Sequence, residues 1–367
     1  MDAEANVSIA DLLDQPPFAA ACSEKTPVLL SGLLELTEHH RRGGETYRRI
    51  VDTVFGTPPP APRGLADVPW LPVRLFKRLD LISVPRERII KQLISSGTTG
   101  QAVSRIYVDS ETAGLQTKAL TRITAEFIGR QRLPMVVIDD RSFLESRNKI
   151  SARAAGIVGF STFGRDHFYL LDKDLEPDWH GLELYLAKHR VSPVLLFGFT
   201  FVVWQQFVER ARAQRVSVQF PRDSVMIHGG GWKRLVDRQI SNDAFKAALA
   251  ETFDVTRVHN YYGMVEQVGS IFFECEHGYM HPPSFADLLI RDPMTFEEAP
   301  TSALGLVQVL SLLPRSYPGH SLLTEDLGTI HGEDDCPCGR RGKRFTVSGR
   351  LKNVEIRGCS DTRAVPG

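Results

Sequence analysis

Short apolar runs alternate with helix-like segments between residues 134 and 263. The apolar runs are PMVVIDD (134–140), SPVLLFGF (192–199), DSVMIHGGG (223–231) and VTRVHNYYG (255–263). The helix-like segments include FVVWQQFVERARAQR (201–215) and NDAFKAALAETF (242–253). Strands that are covered by helices on both faces read as continuous apolar runs. The alternation therefore predicts an α/β fold with largely parallel, buried strands.

The flanking segments have a different character. Residues 1–54 look helical and polar, and FGTPPPAPRG (55–64) is typical of a proline-rich joint. Toward the C-terminus, SIFFECE, ADLLIRD and LGLVQVLSLL follow one another with little helix between them, which predicts a second, antiparallel or barrel-like β element. We therefore expect a helical segment with its joint over 1–64, a main domain over 65–347, and a short hinge and tail over 348–367.

The balance of charge excludes several classes of partner. The chain carries 44 basic and 44 acidic residues, with no basic stripe that would favour nucleic acid. Its longest nearly apolar run, VSPVLLFGFTFVVW (191–204), is interrupted by polar residues and is too short to span a bilayer. The acidic N-terminus lacks a signal-peptide pattern. We expect a cytoplasmic protein with no nucleic-acid partner and no membrane span.

A loop rich in hydroxyl groups follows the apolar pair at 93–94. Its sequence, SSGTTG, comprises Ser95, Ser96, Gly97, Thr98, Thr99 and Gly100. Four hydroxyls, with backbone N–H groups that the glycines leave accessible, could wrap the oxygens of a polyphosphate. The loop does not match the G-x-x-x-x-G-K-[ST] pattern of the common ATPase phosphate loop. A plain surface turn is the alternative.

Three further motifs could complete a nucleotide site. HNYYGMVEQ (259–267) joins aromatic residues and a glycine to Glu266, whose carboxylate could hold Mg²⁺ at a phosphate. MIHGGGW (226–232) ends a strand in three glycines, where a flat ring could lie against bare backbone. In LLTEDLG (322–328), the two oxygens of Asp326 could accept both hydroxyls of a ribose. The candidate nucleotide-binding residues in these motifs are His228, Gly229, Gly230, Gly231, Tyr261, Tyr262, Gly263 and Asp326.

A separate group of cysteine and histidine residues could bind a metal. Together, ECEHGYMH (274–281) and DDCPCGR (334–340) supply four soft ligands for a tetrahedral zinc. Four protein ligands would leave no open position on the metal, so the role of the zinc would be structural. The candidate ligands are Cys275, His281, Cys336 and Cys338, with His277 as the competing nitrogen. The alternative is a set of unlinked, reduced cysteines.

The order of these motifs, over roughly residues 70–359, resembles that of the adenylate-forming enzymes, which activate carboxylates with ATP. SSGTTG resembles their phosphate loop, HGGG their adenine wall, YYGMVE their Tyr-Gly-x-Thr-Glu segment, LLTED their ribose segment and GRLKN their hinge. Within this group, DVPWLPVRLFK, CPCGR and the terminal RGC most resemble the acyl-protein synthetases of bacterial luminescence (LuxE type). Phenylacetate-CoA ligases are the next relatives.

The resemblance implies a fold, a reaction and partners. Residues 65–347 would form the adenylate-forming domain, with parallel sheets and the β element, and the C-terminal domain would be nearly absent. A fatty or aryl acid would be activated as its acyl-adenylate with ATP and Mg²⁺, yielding AMP, and a cysteine thioester would pass the acyl group to a protein, a reductase or a carrier. The implied catalytic residues are Glu266, Arg350 in the hinge and Cys359 in RGC.

Two departures from the family pattern keep other activities open. Val265 stands where the family has a threonine or serine, and its methyl groups cannot donate a hydrogen bond to a phosphate. Only about 18 residues follow Gly349, whereas conventional ligases carry a full C-terminal domain there. The alternatives are a CoA ligase of the phenylacetate type, an acyltransferase that moves an acyl group from CoA to a carrier protein without adenylation, and a non-catalytic scaffold that binds an adenylate.

Overall fold

The computed structural model describes residues 8–95, 103–141, 152–232 and 240–351. Twelve of the described strands form one mixed sheet, and two more pair as a hairpin. The strands are β1 Leu71–Pro72, β2 Ile89–Ile94, β3 Arg105–Asp109, β4 Leu133–Ile138, β5 Gly164–Tyr169, β6 Leu195–Phe199, β7 Val225–Gly229, β8 Arg257–Tyr262, β9 Phe272–Glu274, β10 Met280–His281, β11 Ala286–Arg291, β12 Gly305–Ser311, β13 Ser321–Glu333 and β14 Lys343–Arg350. The sheet order is β11-β12-β13-β14-β10-β9-β8-β7-β6-β4-β5, with β1 beside β13.

Helices precede the sheet and connect its parallel strands. They are α1 Ile9–Asp14, α2 Cys22–Gly43, α3 Glu45–Phe55, α4 Ser110–Ile128, α5 Ala152–Ser161, α6 Trp179–Lys188, α7 Thr200–Val202, α8 Arg210–Gln214 and α9 Asn242–Phe253. A π-helical segment, Val203–Glu209, joins α7 to α8. Ser241 caps α9 by accepting from the backbone N–H of Ala244 at 3.1 Å, which satisfies a donor that the first turn leaves free. Within the described ranges, every helix is too short or too polar to cross a membrane.

The strands β5, β4, β6, β7 and β8 are parallel and form one half of the sheet. Every residue of β6 and β7 is buried, which is why these strands read as continuous apolar runs. The register pairs Phe199 with Gly229 and Gly229 with Tyr261, so that three strands end at one edge. The prediction of an α/β fold with buried parallel strands is confirmed.

Apart from the short parallel pair of β1 with β13, the other half of the sheet is antiparallel. It begins where β9 pairs antiparallel with β8, and β10 to β14 continue it. The longest strand is β13, whose 13 residues pair with β12 on one side and β14 on the other. The predicted antiparallel element is therefore present. It extends the parallel sheet, and its described strands do not close into a barrel.

Buried polar contacts hold the N-terminal helices against the sheet. Lys25 of α2 donates to the carbonyl of Pro282 at 3.3 Å and lies 3.8 Å from the Asp287 carboxylate on β11. Farther along α2, His40 bonds the Ser83 hydroxyl at 2.8 Å. The helices α1, α2 and α3 cover most of residues 9–55, while the predicted domain boundaries at 64 and 347 stay predictions.

Candidate functional site

The carboxyl ends of β7 and β8 lie side by side at one edge of the sheet. Strand β7 ends at Gly229 and leads into Gly230 and Gly231, and β8 ends at Tyr262, just before Gly263. In open α/β sheets, ligands bind outside the carboxyl ends of the strands. Two of the motifs predicted for nucleotide binding therefore meet at the edge where such a site is expected.

Two glycines let aromatic rings lie directly on the backbone. A Cβ atom built on Gly229 would lie 2.6 Å from the ring of Tyr261, and one built on Gly230 would lie 2.8 Å from the ring of Phe199. Gly230 also has a φ of +81°, a conformation that side chains disfavour. The glycine motif predicts that the ring of a ligand lies against this backbone. In the structure, the ring that lies on Gly229 belongs to the protein's own Tyr261.

His228 lies in the interior beside this edge. Its Nδ1 is 2.9 Å from the hydroxyl of Thr200, which donates to the Gly229 carbonyl at 3.1 Å. The hydroxyl therefore accepts from the Nδ1–H of His228, and Nε2 is the unprotonated nitrogen. That Nε2 is buried without a hydrogen-bond partner among the described residues. Burial lowers the pKa of His228 to about 3, so the ring is neutral.

Glu266 sits in the 3₁₀ turn Val265–Gln267, and its side chain is buried. Burial raises the pKa of its carboxyl group, and the Ser104 hydroxyl and the charges of Lys77 and Arg350 act in the opposite direction. The next residue, Gln267, anchors the turn by donating to the Gly319 carbonyl at 2.9 Å. The structure therefore holds a buried carboxylate close to the junction between the parallel and antiparallel halves of the sheet. A cation bound there would offset the cost of ionising the Glu266 carboxyl group.

The candidate phosphate loop leaves from a hairpin beside Glu266. Strands β2 and β3 are antiparallel, and at their open end the backbone N–H of Ser104 donates to the Ser95 hydroxyl at 2.8 Å. The Ser104 side chain is close enough to Glu266 to lower the pKa of its carboxyl group, as the charges of Lys77 and Arg350 also do. The base of the loop is thus next to the candidate metal-binding carboxylate. The other loop residues, Ser96, Gly97, Thr98, Thr99 and Gly100, lie outside the described residues.

Asp326 of β13 is held by two residues from different strands. The Tyr262 hydroxyl, at the end of β8, donates to Asp326 Oδ2 at 2.7 Å, and Nε of Arg350 donates to Oδ1 at 3.2 Å. Arg350 faces Asp326 across the β13–β14 ladder. Burial, followed by the negative charge of Asp326, raises the pKa of Tyr262 well above its usual value, so the tyrosine remains a donor. The structure thereby joins Tyr262 and Asp326, predicted for nucleotide binding, with Arg350, predicted as a catalytic residue of the hinge.

The four candidate metal ligands converge at a second site. Cys275 follows β9, His281 lies in β10, and Cys336 and Cys338 lie in the turn between β13 and β14. Their four ligand atoms all lie within 4.8 Å of one another. The Sγ atoms of Cys275 and Cys336 are 3.9 Å apart, and Cys338 Sγ is 3.4 Å from His281 Nε2.

The surroundings of this second site suit a structural metal. His281 is fully buried, and burial lowers its pKa to about 4, which leaves a neutral imidazole. His277, the competing nitrogen, is exposed on the turn between β9 and β10 and is not part of the cluster. Three sulfurs and one imidazole nitrogen are the donor set that zinc prefers, so the residues present fit a tetrahedral zinc. Burial raises the pKa of Cys336 to about 12, so binding a metal would release a proton.

Three contacts in the nucleotide region were not predicted from the sequence. They are Thr200 with His228, Gln267 with Gly319, and Tyr262 with Asp326. Their partners are 28, 52 and 64 positions apart in the chain. One or both partners in each contact lie within a predicted motif, but Thr200 and Gly319 do not, and the sequence offers no signal that pairs the residues. The predicted Cys359 lies outside the described residues.

Comparison of the sequence with known proteins identifies its relatives. The family model described as "Acyl-protein synthetase, LuxE" matches residues 2–364. A long-chain-fatty-acid–luciferin-component ligase of Vibrio harveyi is 32% identical over 331 residues, which cover 88% of this chain and 84% of that protein. A ligase of the same name from Aliivibrio fischeri is 26% identical over 186 residues, covering 48% of this chain and 47% of that protein.

Solved structures with a similar fold are adenylate-forming ligases. A 2-hydroxyisobutyryl-CoA ligase, in an open conformation with 2-HIB-AMP and CoA, superposes with a TM-score of 0.67 at 17% identity, covering 90% of this chain and 76% of that one. The same enzyme in its thioesterification state gives a TM-score of 0.68, covering 92% and 71%. These structures show the fold, and the family follows from the sequence match over nearly the whole chain. The chain belongs to the LuxE acyl-protein synthetase family of ATP-dependent acid ligases.

Proposed function

We propose that this chain activates a fatty or aryl acid with ATP at the carboxyl edge of its parallel strands and passes the acyl group to a protein. The observation that carries the proposal is the junction of Tyr262, Asp326 and Arg350, contributed by three separate strands. The positive charge of Arg350 also acts on the buried Glu266. A ribose-binding carboxylate and a metal-binding carboxylate would therefore share one basic neighbour.

The residues of this edge have distinct roles in the proposed reaction. Asp326 accepts hydrogen bonds from the ribose hydroxyls, and the loop at 95–100 binds the phosphates. The glycines at 229–231 and Tyr261 form the wall beside the base. Mg²⁺, when bound, neutralises the phosphate charge, and Glu266 is the residue that would hold it. An oxygen of the substrate carboxylate bonds to the α-phosphorus, the bond to the β-phosphate oxygen breaks, and pyrophosphate leaves.

Transfer of the acyl group needs a second nucleophile. We propose that the Cys359 thiolate attacks the carbonyl of the acyl-adenylate, forming a thioester and releasing AMP. The thiol of Cys359 loses its proton, and the acyl group then passes to a protein acceptor, a reductase or a carrier. The names of the two curated relatives, which are long-chain-fatty-acid ligases, support a long-chain fatty acid as the first substrate to test.

The cysteine and histidine cluster has a structural role in this proposal. Zinc, when bound by Cys275, His281, Cys336 and Cys338, would join β9 and β10 to the β13–β14 turn. Four protein ligands leave no position for a substrate. The cluster would therefore stabilise the antiparallel half of the sheet that carries Asp326 and Arg350.

One observation favours a second candidate function. Val265 begins the Glu266 turn, and its side chain packs on the hydrophobic core rather than offering a donor to a phosphate. A chain that lacks this donor could take the acyl group from a CoA thioester and pass it to a carrier without adenylation. A CoA ligase is the related alternative, in which free CoA replaces the protein thiol.

Carboxylate-dependent exchange of labelled pyrophosphate into ATP tests the first half of the proposal. We expect exchange with at least one member of a panel of fatty and aryl acids, and its loss in Glu266→Gln, which keeps the shape of the side chain and removes the charge. Glu297→Gln, at an exposed carboxylate, is the matched control and should exchange at the wild-type rate. Exchange that survives in Glu266→Gln would contradict the assigned role.

Intact-mass spectrometry tests the second half. Incubation with ATP and the active acid should give a hydroxylamine-labile acyl adduct that is absent in Cys359→Ala. An adduct formed from the acyl-CoA alone, without ATP, would instead support the thioester transferase. Acylation of the final acceptor at the wild-type rate by Cys359→Ala would remove this cysteine from the pathway.

A further inference from the structure

The two partners of Asp326 differ in how firmly they are held. The Asp326 side chain is 15% exposed, whereas the Arg350 side chain is 68% exposed. Tyr262 is fixed by aromatic packing: its ring stacks on that of Phe272 at 17° between planes, with centroids 6.2 Å apart. Phe272 is buried and packs edge-on against Phe345 of β14. The hydroxyl of Tyr262 is therefore oriented by the core, and the guanidinium of Arg350 is free to move into solvent.

This difference decides which partner yields when a ribose arrives. An exposed ion pair contributes little to stability, so exchanging Arg350 for a ribose hydroxyl has a small cost. The hydrogen bond from Tyr262 has a donor that packing holds in place and an acceptor that is charged, so it is stronger and is lost at greater cost. A carboxylate has about four lone-pair sites, so Asp326 can keep the bond from Tyr262 while it accepts from two ribose hydroxyls.

We infer that Tyr262 is a positioning residue for Asp326 and that its hydroxyl sets the preference of the site for ribonucleotides over nucleotides that lack the ribose hydroxyls. The inference rests on the proposed nucleotide site. Tyr262 holds one oxygen of Asp326 in place, which fixes the rotation of the carboxylate plane before the nucleotide binds. The hydroxyls at both ribose positions then meet acceptors that are already oriented.

Calorimetric titration of the full chain with ATP and with 2′,3′-dideoxy-ATP, both with Mg²⁺, tests the inference. We expect the wild type to bind ATP roughly a hundredfold more tightly than the dideoxy analogue, because two hydrogen bonds to a carboxylate are involved. Tyr262→Phe keeps the ring and removes the hydroxyl. This variant should bind ATP about tenfold more weakly than the wild type and bind the dideoxy analogue equally well, because only ATP has the hydroxyls that bond the oriented carboxylate.

Two further variants separate positioning from a general loss of structure. Tyr185→Phe removes a second tyrosine hydroxyl that makes a half-buried hydrogen bond, here to the Asp166 carbonyl at 2.7 Å, and it should keep the wild-type preference. Asp326→Asn should lose most of the preference, and adding Tyr262→Phe to it should cause no further loss, because Tyr262 acts through Asp326.

Each outcome has one meaning. If Tyr262→Phe prefers ATP over the dideoxy analogue by the same factor as the wild type does, the inference is overturned and the nucleotide site still stands. Additive losses in the double variant would show that Tyr262 acts independently of Asp326 and would also overturn it. A wild type that binds neither nucleotide would overturn the proposed function itself.

Discussion

Replacing His281 by alanine should remove a structural zinc, whereas replacing His277 should not. In a tetrahedral site with Zn–S bonds of about 2.3 Å and a Zn–N bond of about 2.0–2.1 Å, two sulfurs lie about 3.8 Å apart, and sulfur and nitrogen about 3.5 Å apart. The corresponding distances in the chain are 3.9 Å between Cys275 and Cys336 and 3.4 Å between Cys338 and His281. These two separations match those of a tetrahedral zinc, and all four ligand atoms lie within 4.8 Å of one another.

The expected loss of stability follows from ligand linkage. Zinc present at 1,000 times its Kd stabilises the folded chain by about 4 kcal/mol. An unfolding entropy of about 2.1 cal/mol/K per residue gives roughly 0.8 kcal/mol/K for a chain of this length, so losing the metal lowers Tm by about 5 °C. Since His281 is also buried, its truncation adds the cost of a cavity to this loss.

Metal analysis and calorimetry on the same preparations check the prediction. The wild type and His277→Ala should each hold about one zinc per chain, and His281→Ala should hold none and melt at least 5 °C lower. A strong chelator should lower the Tm of the wild type by the zinc contribution alone and leave His281→Ala unchanged. Zinc retained by His281→Ala, or a wild type that is metal-free with an unchanged Tm after chelation, would refute the reasoning.

Three other changes probe the nucleotide region and the buried histidines. Val265→Thr should raise pyrophosphate exchange about tenfold or more by restoring a donor to the adenylate phosphate; an unchanged rate would show that the turn does not face it. Gly229→Ala forces a Cβ to within 2.6 Å of the Tyr261 ring and should cost about 1–3 kcal/mol in urea unfolding, whereas Gly114→Ala, with open space around its Cβ on α4, should not destabilise. Burial lowers the pKa of His320 to about 3, so below pH 6.5 the folded chain binds fewer protons at this group than the unfolded chain does. The contribution of His320 to the free energy of unfolding should therefore fall by about 2 kcal/mol as the pH drops from 7 to 5. His320→Gln should reduce that dependence, and an identical dependence in the variant would contradict it.

The parallel half of the fold was predictable because burial leaves a direct mark on composition. Strands β6 and β7 are covered on both faces, so each reads as an uninterrupted apolar run. The helix predicted at 242–253 has the bounds of α9, Asn242–Phe253, because Ser241 caps it and an apolar face follows at helical spacing. Local rules were sufficient for both kinds of element.

The antiparallel half was harder to predict, because pairing is not a local property. The apolar runs at its strands indicate β structure, and nothing in them says that β9 joins the edge of β8 or that the strands extend one sheet instead of closing a barrel. The neighbour of each strand depends on contacts far along the chain. The Tyr262–Asp326 bond, across 64 residues, has the same origin.

The metal cluster illustrates the same limit at a single residue. The sequence predicts His281 as the ligand but leaves His277 as a competing nitrogen, because both follow Cys275 closely. The turn after Cys275 leaves His277 in solvent, and β10 returns His281 to the interior beside Cys338. Backbone direction, which a spacing pattern does not encode, chooses between the two nitrogens.

Direct detection of an acyl-adenylate tests the central claim. The chain at high concentration, mixed with Mg²⁺, ATP and a long-chain fatty acid, is quenched in acid after one turnover and analysed by mass spectrometry. We predict acyl-AMP and pyrophosphate in equal amounts in the wild type, more of both in Val265→Thr, and neither in Glu266→Gln. No acyl-AMP with any fatty or aryl acid, in the wild type and in Val265→Thr alike, would contradict the claim that this edge of the sheet activates carboxylates.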